Sequence, residues 1–117
     1  MYDPYLAAQR TLELLALGNP PTAIVCWSDM LALAVLDACA HSGRSVPGDV
    51  SVVGFDDLDF TAFTSPRLTT IHQERLESGH RMADRLLDRV EGIADPAPVH
   101  LTIPTTFVER ESTAPAR

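Results

Sequence analysis

The sequence predicts an α/β domain built as a three-layer, partly parallel sheet with helices on both faces. Residues 49–57, which read Asp-Val-Ser-Val-Val-Gly-Phe-Asp-Asp, are apolar on both faces of a two-residue period. A strand has that pattern when helices cover both sides of a parallel sheet. A second apolar run, residues 22–27, precedes it, and the helical pattern between the two supplies the crossover that parallel neighbours need. Both runs end in polar pairs, Ser28 with Asp29 and Asp56 with Asp57, at the strand ends where open α/β sheets bind ligands.

The elements follow in order. Asp3 and Pro4 make an N-cap and first helical position, Tyr5, Ala8, Leu12 and Leu15 recur at helical spacing, and Gly18 supplies a stop. Pro20 and Pro21 lead into the first strand. A second helix starts with Ser28 or Asp29 as cap, packs Leu31, Ala34, Val35, Ala38 and Cys39, and ends at Ser42 and Gly43. Residues 58–67 are irregular and leave Phe63 exposed, and residues 68–72 are extended after Pro66. A long helix over 73–91 carries the stripe Leu76, His80, Ala83, Leu86, Leu87 and Val90 and stops at Gly92. Two short extended pieces, 99–103 and 106–109, flank Pro104, and the tail from Glu111 reads as frayed.

Composition narrows the function. A chain of 117 residues supports one domain with a modest core. No apolar run approaches the roughly 20 residues of a membrane span, and Met1, Tyr2, Asp3 and Pro4 lack the basic start of a secretory signal, so a cytoplasmic protein with no membrane partner is expected. A net charge of -7 argues against this chain holding nucleic acid itself. All nine basic residues are Arg, which removes Schiff-base lysines and the lysine of a phosphate-binding loop. His41, His72, His80 and His100 lack metal-ligand spacing, no His is placed to activate Ser112 or Thr113, and Gly54 stands outside any glycine-rich loop. The expectation is no metal, no cofactor and no catalysis. Helix rise places Cys26 and Cys39 roughly 15 Å apart, too far for a disulfide, as two buried thiols in a reducing compartment.

Five pieces in this order and spacing carry a resemblance: Pro21-Thr22-Ala23-Ile24, residues 28–33, residues 46–57, Pro66-Arg67-Leu68-Thr69-Thr70-Ile71, and Arg110-Glu111-Ser112-Thr113. Together they resemble the C-terminal part of the LacI/GalR transcription regulators over nearly the whole chain. The resemblance implies a two-lobed periplasmic-binding-protein type I-like core that closes on a small, sugar-like effector in a homodimer. Operator DNA would be held by an N-terminal helix-turn-helix that nothing here resembles. Residues 2–66 would belong to the C-terminal lobe, and residues 73–103 would return to the N-terminal lobe. The alternative is a fragment of a periplasmic sugar-binding receptor of an ABC transporter, which shares the fold.

The resemblance also assigns candidate residues. Asp56 falls where the family places a carboxylate on effector hydroxyls, or it caps the following turn. Ser28 falls where many members carry Asn. Asp29 is a helix cap or a ligand contact, Tyr2 aligns with an aromatic stacked on the sugar, and Trp27 is either ligand wall or core filling. Leu33 and Phe63 match positions near the dimer contact.

Overall fold

The computed structural model describes residues 3–93 and 97–115. In chain order the elements are α1 (Pro4–Leu15), β1 (Ala23–Val25), α2 (Asp29–His41), β2 (Ser51–Val53), a short 3-10 turn (Asp59–Ala62), β3 (Thr70–Gln73), α3 (Arg75–Val90) and β4 (Thr105–Val108). They fall into two compact units, one running to His72 and resuming at Phe107, the other Gln73–Thr106.

The first unit contains the expected βαβ arrangement. β1 and β2 pair in parallel with Ile24 opposite Val52, and α2 makes the crossover. The sheet continues on the far side of β2, where Gly54 N donates to Thr69 O at 2.9 Å and Asp56 N to Ile71 O at 3.0 Å. The core lies where α1 and α2 meet one face of this sheet, with Leu15, Ala32, Val35, Leu36, Cys39, Val52 and Leu68 buried together. Burying side chains such as Val52 and Leu68 stabilises the fold by about 1.5–3 kcal/mol each.

Helix ends are set by local chemistry. Asp3 caps α1, its Oδ1 accepting from Tyr5 N and Leu6 N, and Pro4 takes the first position as expected. The helix ends at Leu15 with Ala16 as cap, before Gly18. Its buried positions are Thr11 and Leu15, while Tyr5 and Leu12 face solvent, because Thr11 satisfies its hydroxyl on Ala7 O at 2.8 Å and is as buriable as an apolar residue. Gly43 and Gly92, with φ of 71° and 73°, take the left-handed positions just beyond α2 and α3.

Four expectations change. Residues 22–27 are not a fully buried strand: Val25 is 77% exposed, because β1 packs on the helices only through its Ile24 and Cys26 side. Residues 99–103 form no strand, and β4 begins after Pro104. Cys26 and Cys39 are free thiols as expected, yet they share one core, since α2 folds back over its own strand and axial rise does not measure the distance between them. Burial, followed by the neighbouring Cys39 and Asp29, pushes the Cys26 thiol up to about 12.

The tail is the fourth change: it is pinned, not frayed, through residue 114. Ser112 is fully buried, its carbonyl accepts from Val52 N at 2.8 Å, and its hydroxyl donates to Val52 O at 2.6 Å while accepting from Thr69 N at 2.8 Å. One serine thus fills the gap where β2 and the strand at 69–71 begin to diverge.

In the second unit no residue of α3 is buried, and its apolar stripe, including Leu76, Leu87 and Val90, stays exposed.

Replacing Ser112 with Ala leaves the Thr69 amide buried without its acceptor. The expected loss of stability is about 1–3 kcal/mol, measured by urea unfolding; a loss below about 0.5 kcal/mol would mean that water or a backbone shift replaces the hydroxyl.

Candidate functional site

The carboxyl ends of β1 and β2 converge as the sequence requires, because Asp29 N donates to Phe55 O at 2.8 Å. Ser28 caps α2, its hydroxyl accepting from Leu31 N at 3.4 Å, and Asp29 is the first helical residue, not the cap. Asp29 is wholly buried. Its Oδ1 accepts from Thr70 Oγ1 at 2.6 Å and its Oδ2 from Leu58 N at 2.8 Å, so it ties the ends of three extended segments together. Asp29 is thus an internal tie at this edge. The same carboxylate explains Gly54: a Cβ at that position would collide with Asp29 Oδ1 and press on Leu68 Cδ2 at 3.0 Å.

Beyond β2 the chain enters unusual backbone. Asp56 and Asp57 have φ of 117° and 55°, and they are the non-glycine residues with positive φ among those described. Residues with a Cβ adopt such angles only when their surroundings hold them there, and such positions cluster at ligand sites. Asp56 is bridged to His72 in the neighbouring strand. Asp57 lies between Arg110 and His72: Arg110 Nη2 donates to its Oδ1 at 2.7 Å, and His72 Nδ1 stands 2.9 Å from its Oδ2. A carboxylate accepts, so Nδ1 carries the proton in that contact. Arg110 also donates from Nη1 to Thr61 Oγ1 at 3.0 Å and to Leu68 O at 2.8 Å. Burial by itself raises the Asp57 pKa, but the hydrogen bonds from Arg110 and His72 and the charge on both outweigh it and hold the carboxyl below its ordinary value.

The candidate residues are therefore unequal. Asp56 is partly exposed at the strand end, and Trp27, 76% exposed, stands in the open at the end of β1, which corrects the core-filling reading. Ser28 is nearly buried behind them. Tyr2 lies outside the described residues. Phe63 is 86% exposed, as expected, and Leu33 is 40% exposed on α2. Sequence reasoning missed Arg110 and His72. Arg110 lies in the Arg110-Glu111-Ser112-Thr113 piece, but nothing local points to a partner 53 positions away. The described residues contain no group of three or more His, Cys, Asp and Glu that could hold a metal, and no helix among them is long and apolar enough to cross a membrane. Two clefts of about 410 and 460 Å³ run along α3 within the second unit.

The profile of the periplasmic binding protein-like domain matches residues 3–113. The chain belongs to the periplasmic binding protein-like domain family. Among curated relatives, the HTH-type transcriptional repressor CytR of Escherichia coli (strain K12) is 46% identical over 80 residues, which are 68% of this chain and 24% of that protein. A LacI family transcriptional regulator from Enterococcus faecium, solved with bound ribose, matches at a TM-score of 0.86 and 32% identity, covering 100% of this chain and 42% of that one. A lac repressor dimer bound to operator and the anti-inducer ONPF matches at 0.82 and 36% identity, covering 92% and 37%.

The resemblance to LacI/GalR regulators and the predicted α/β class of this binding-protein-like domain are thereby borne out. The relatives are repressors and not transport receptors, which sets aside the ABC-receptor alternative. As repressors they also fit the reading of this domain as a non-enzyme. The chain spans about a quarter of the length of the curated relatives it matches.

The depressed Asp57 pKa fixes the sign of a pH effect. Its contribution to stability is complete above the unfolded-state value near 4 and is lost as pH falls through the lower folded value. The stability difference between the native chain and Asp57→Asn is therefore expected to shrink as pH falls below about 4. A difference in urea midpoints that stays constant to about pH 2 would show that Asp57 keeps no special ion pairs.

Proposed function

We propose that this chain is the effector-sensing and dimerisation part of a LacI-type DNA-binding transcriptional regulator, a cytoplasmic protein that performs no catalysis. The observation that carries the reading is the acidic strand end: a partly exposed Asp56, in left-handed backbone, at the carboxyl edge of a parallel pair within a matched effector-type domain. A carboxylate with two acceptor oxygens suits the adjacent hydroxyls of a sugar-like ligand, and charge-assisted bonds are the stronger kind. Trp27 offers a flat apolar wall beside it. Ser28 and Asp29 shape the edge from behind, Tyr2 stacks on the ligand as the resemblance implies, and no cofactor or metal takes part.

The lobes follow the same reading. Residues 2–66 form the C-terminal lobe, and residues 73–103 return to an N-terminal lobe; the separate compaction of Gln73–Thr106 and the uncovered stripe of α3 support this. The effector acts by preferring one lobe arrangement over another, which changes how a homodimer holds its operator. DNA is contacted through a separate helix-turn-helix, since this chain carries a net charge of -7.

Leu33 and Phe63 are the proposed dimer contacts. Light scattering after size exclusion is expected to give a dimer that Phe63→Glu dissociates, because a carboxylate without a partner is costly to bury. A monomer, or a dimer indifferent to the substitution, would remove this interface from the chain.

For the effector site, titration of the chain with D-ribose followed by ¹H–¹⁵N spectra is expected to move Asp56, Asp57 and the Trp27 indole and to saturate only above about 1 mM, since one lobe presents half of a cleft. Asp56→Asn is expected to abolish these shifts. Saturation well below about 1 mM, or shifts confined to other residues, would overturn the assignment.

A further inference from the structure

We propose that Arg110 is the positioning residue of the acidic strand end: by gripping Thr61, Leu68 and Asp57 at once, it holds Asp57 left-handed and so sets the direction in which Asp56 presents its carboxylate. The functional meaning rests on the reading of Asp56 as the effector contact, whereas the conformational claim stands on geometry alone.

Two consecutive residues with a Cβ and positive φ relax towards ordinary backbone unless something prevents it. The flanking backbone is well held, with Asp56 N on Ile71 O at 3.0 Å and Leu58 N on Asp29 Oδ2 at 2.8 Å. Asp57 is the loose link. Its own amide reaches only Thr70 Oγ1, at 3.4 Å, so its side chain supplies the restraint. Of the two partners of that side chain, His72 is the more exposed, at 38% against 18% for Arg110. Arg110 is itself fixed at both ends, its amide donating to Thr69 Oγ1 at 3.0 Å and its Nη1 to two acceptors. A planar guanidinium can bridge three acceptors in fixed directions, and a lysine ammonium cannot reproduce that fork. The C-terminal segment thereby acts on the site without being exposed to a ligand.

An ordinary structural arginine would satisfy Thr61 and Leu68 and leave the conformation of Asp57 to other forces. Glycine separates the two cases, because it adopts positive φ without cost but cannot bond Arg110 or His72. Urea unfolding is measured for the native chain, Arg110→Met, Asp57→Gly and the double variant, together with the φ-dependent HN–Hα couplings of Asp56 and Asp57.

Arg110→Met is expected to lower the folding equilibrium constant roughly tenfold or more. Its couplings at Asp56 and Asp57 are expected to leave their left-handed values, and Arg110→Lys restores them only in part. Adding Asp57→Gly to Arg110→Met is expected to raise the constant again, roughly threefold, although Asp57→Gly alone lowers it. If Arg110→Met does not fold, recovery of folding in the double variant carries the same meaning. A further loss on adding Asp57→Gly, or unchanged Asp56 couplings in a folded Arg110→Met, would overturn the proposal. No ligand enters these measurements, so failure of the effector reading in the D-ribose titration leaves their outcome unaffected, and the reverse also holds.

Discussion

The structure of the first unit depends on one buried carboxylate. Asp29 has no exposed surface, and burying such a group without partners would cost several kcal/mol. The cost is offset because its two oxygens accept from Thr70 Oγ1 and Leu58 N, while its position at the start of α2 places it against the positive end of the helix. Each bond joins a different extended segment, so the relative height of the strand ends is fixed at a single atom pair. Gly54 is the complement of this arrangement, because no larger residue fits against the carboxylate. Everything at the acidic edge, including the left-handed backbone of Asp56 and Asp57, is built outward from that point.

What could be read from the amino-acid order was whatever short-range chemistry decides. The caps Asp3 and Ser28, the glycines beyond α2 and α3, the strand-helix-strand crossover and the pair Asp56-Asp57 at a strand end all follow from residues within a few positions of one another. What could not be read depends on long loops closed by single side chains. The bond from Thr70 to Asp29 spans 41 positions, that from Arg110 to Asp57 spans 53, and that from Ser112 to Val52 spans 60. In the sequence Thr70, Arg110 and Ser112 look like ordinary surface polar groups. For the same reason Asp29 reads as a cap or ligand contact, when its surroundings make it an internal tie. That Cys26 and Cys39 share one core is likewise not legible, since it depends on how α2 lies back across β1.

Exposure divides the chain in a way that its composition conceals. Ala32, Val35, Leu36 and Cys39 of α2 are spent on the core, whereas no residue of α3 is buried. A strongly amphipathic helix gains most of its stability from packing its apolar face. α3 therefore holds its shape through local terms, such as the contact between Arg81 and Glu77 at 2.6 Å, which at exposed positions contributes little. The same asymmetry appears in β1, where Ile24 and Cys26 face the core and Val25 and Trp27 face out.

On the proposed effector reading, the two adjacent aspartates of this strand end have different duties. A carboxylate that must meet a ligand has to remain reachable, and a reachable side chain cannot also anchor the backbone that aims it. Asp57 takes the anchoring duty: it is only 18% exposed and its two oxygens are engaged by Arg110 and His72. The backbone of Asp56 is held through the amide bond to Ile71 O and the bridge to His72. The positive φ at both positions is the geometric result, since the chain must turn sharply between one carboxylate facing Arg110 and the other at the edge of the sheet. Backbone that is unfavourable on its own is stable here because the partners that hold it are themselves anchored in the buried segments at Leu68 and Thr69.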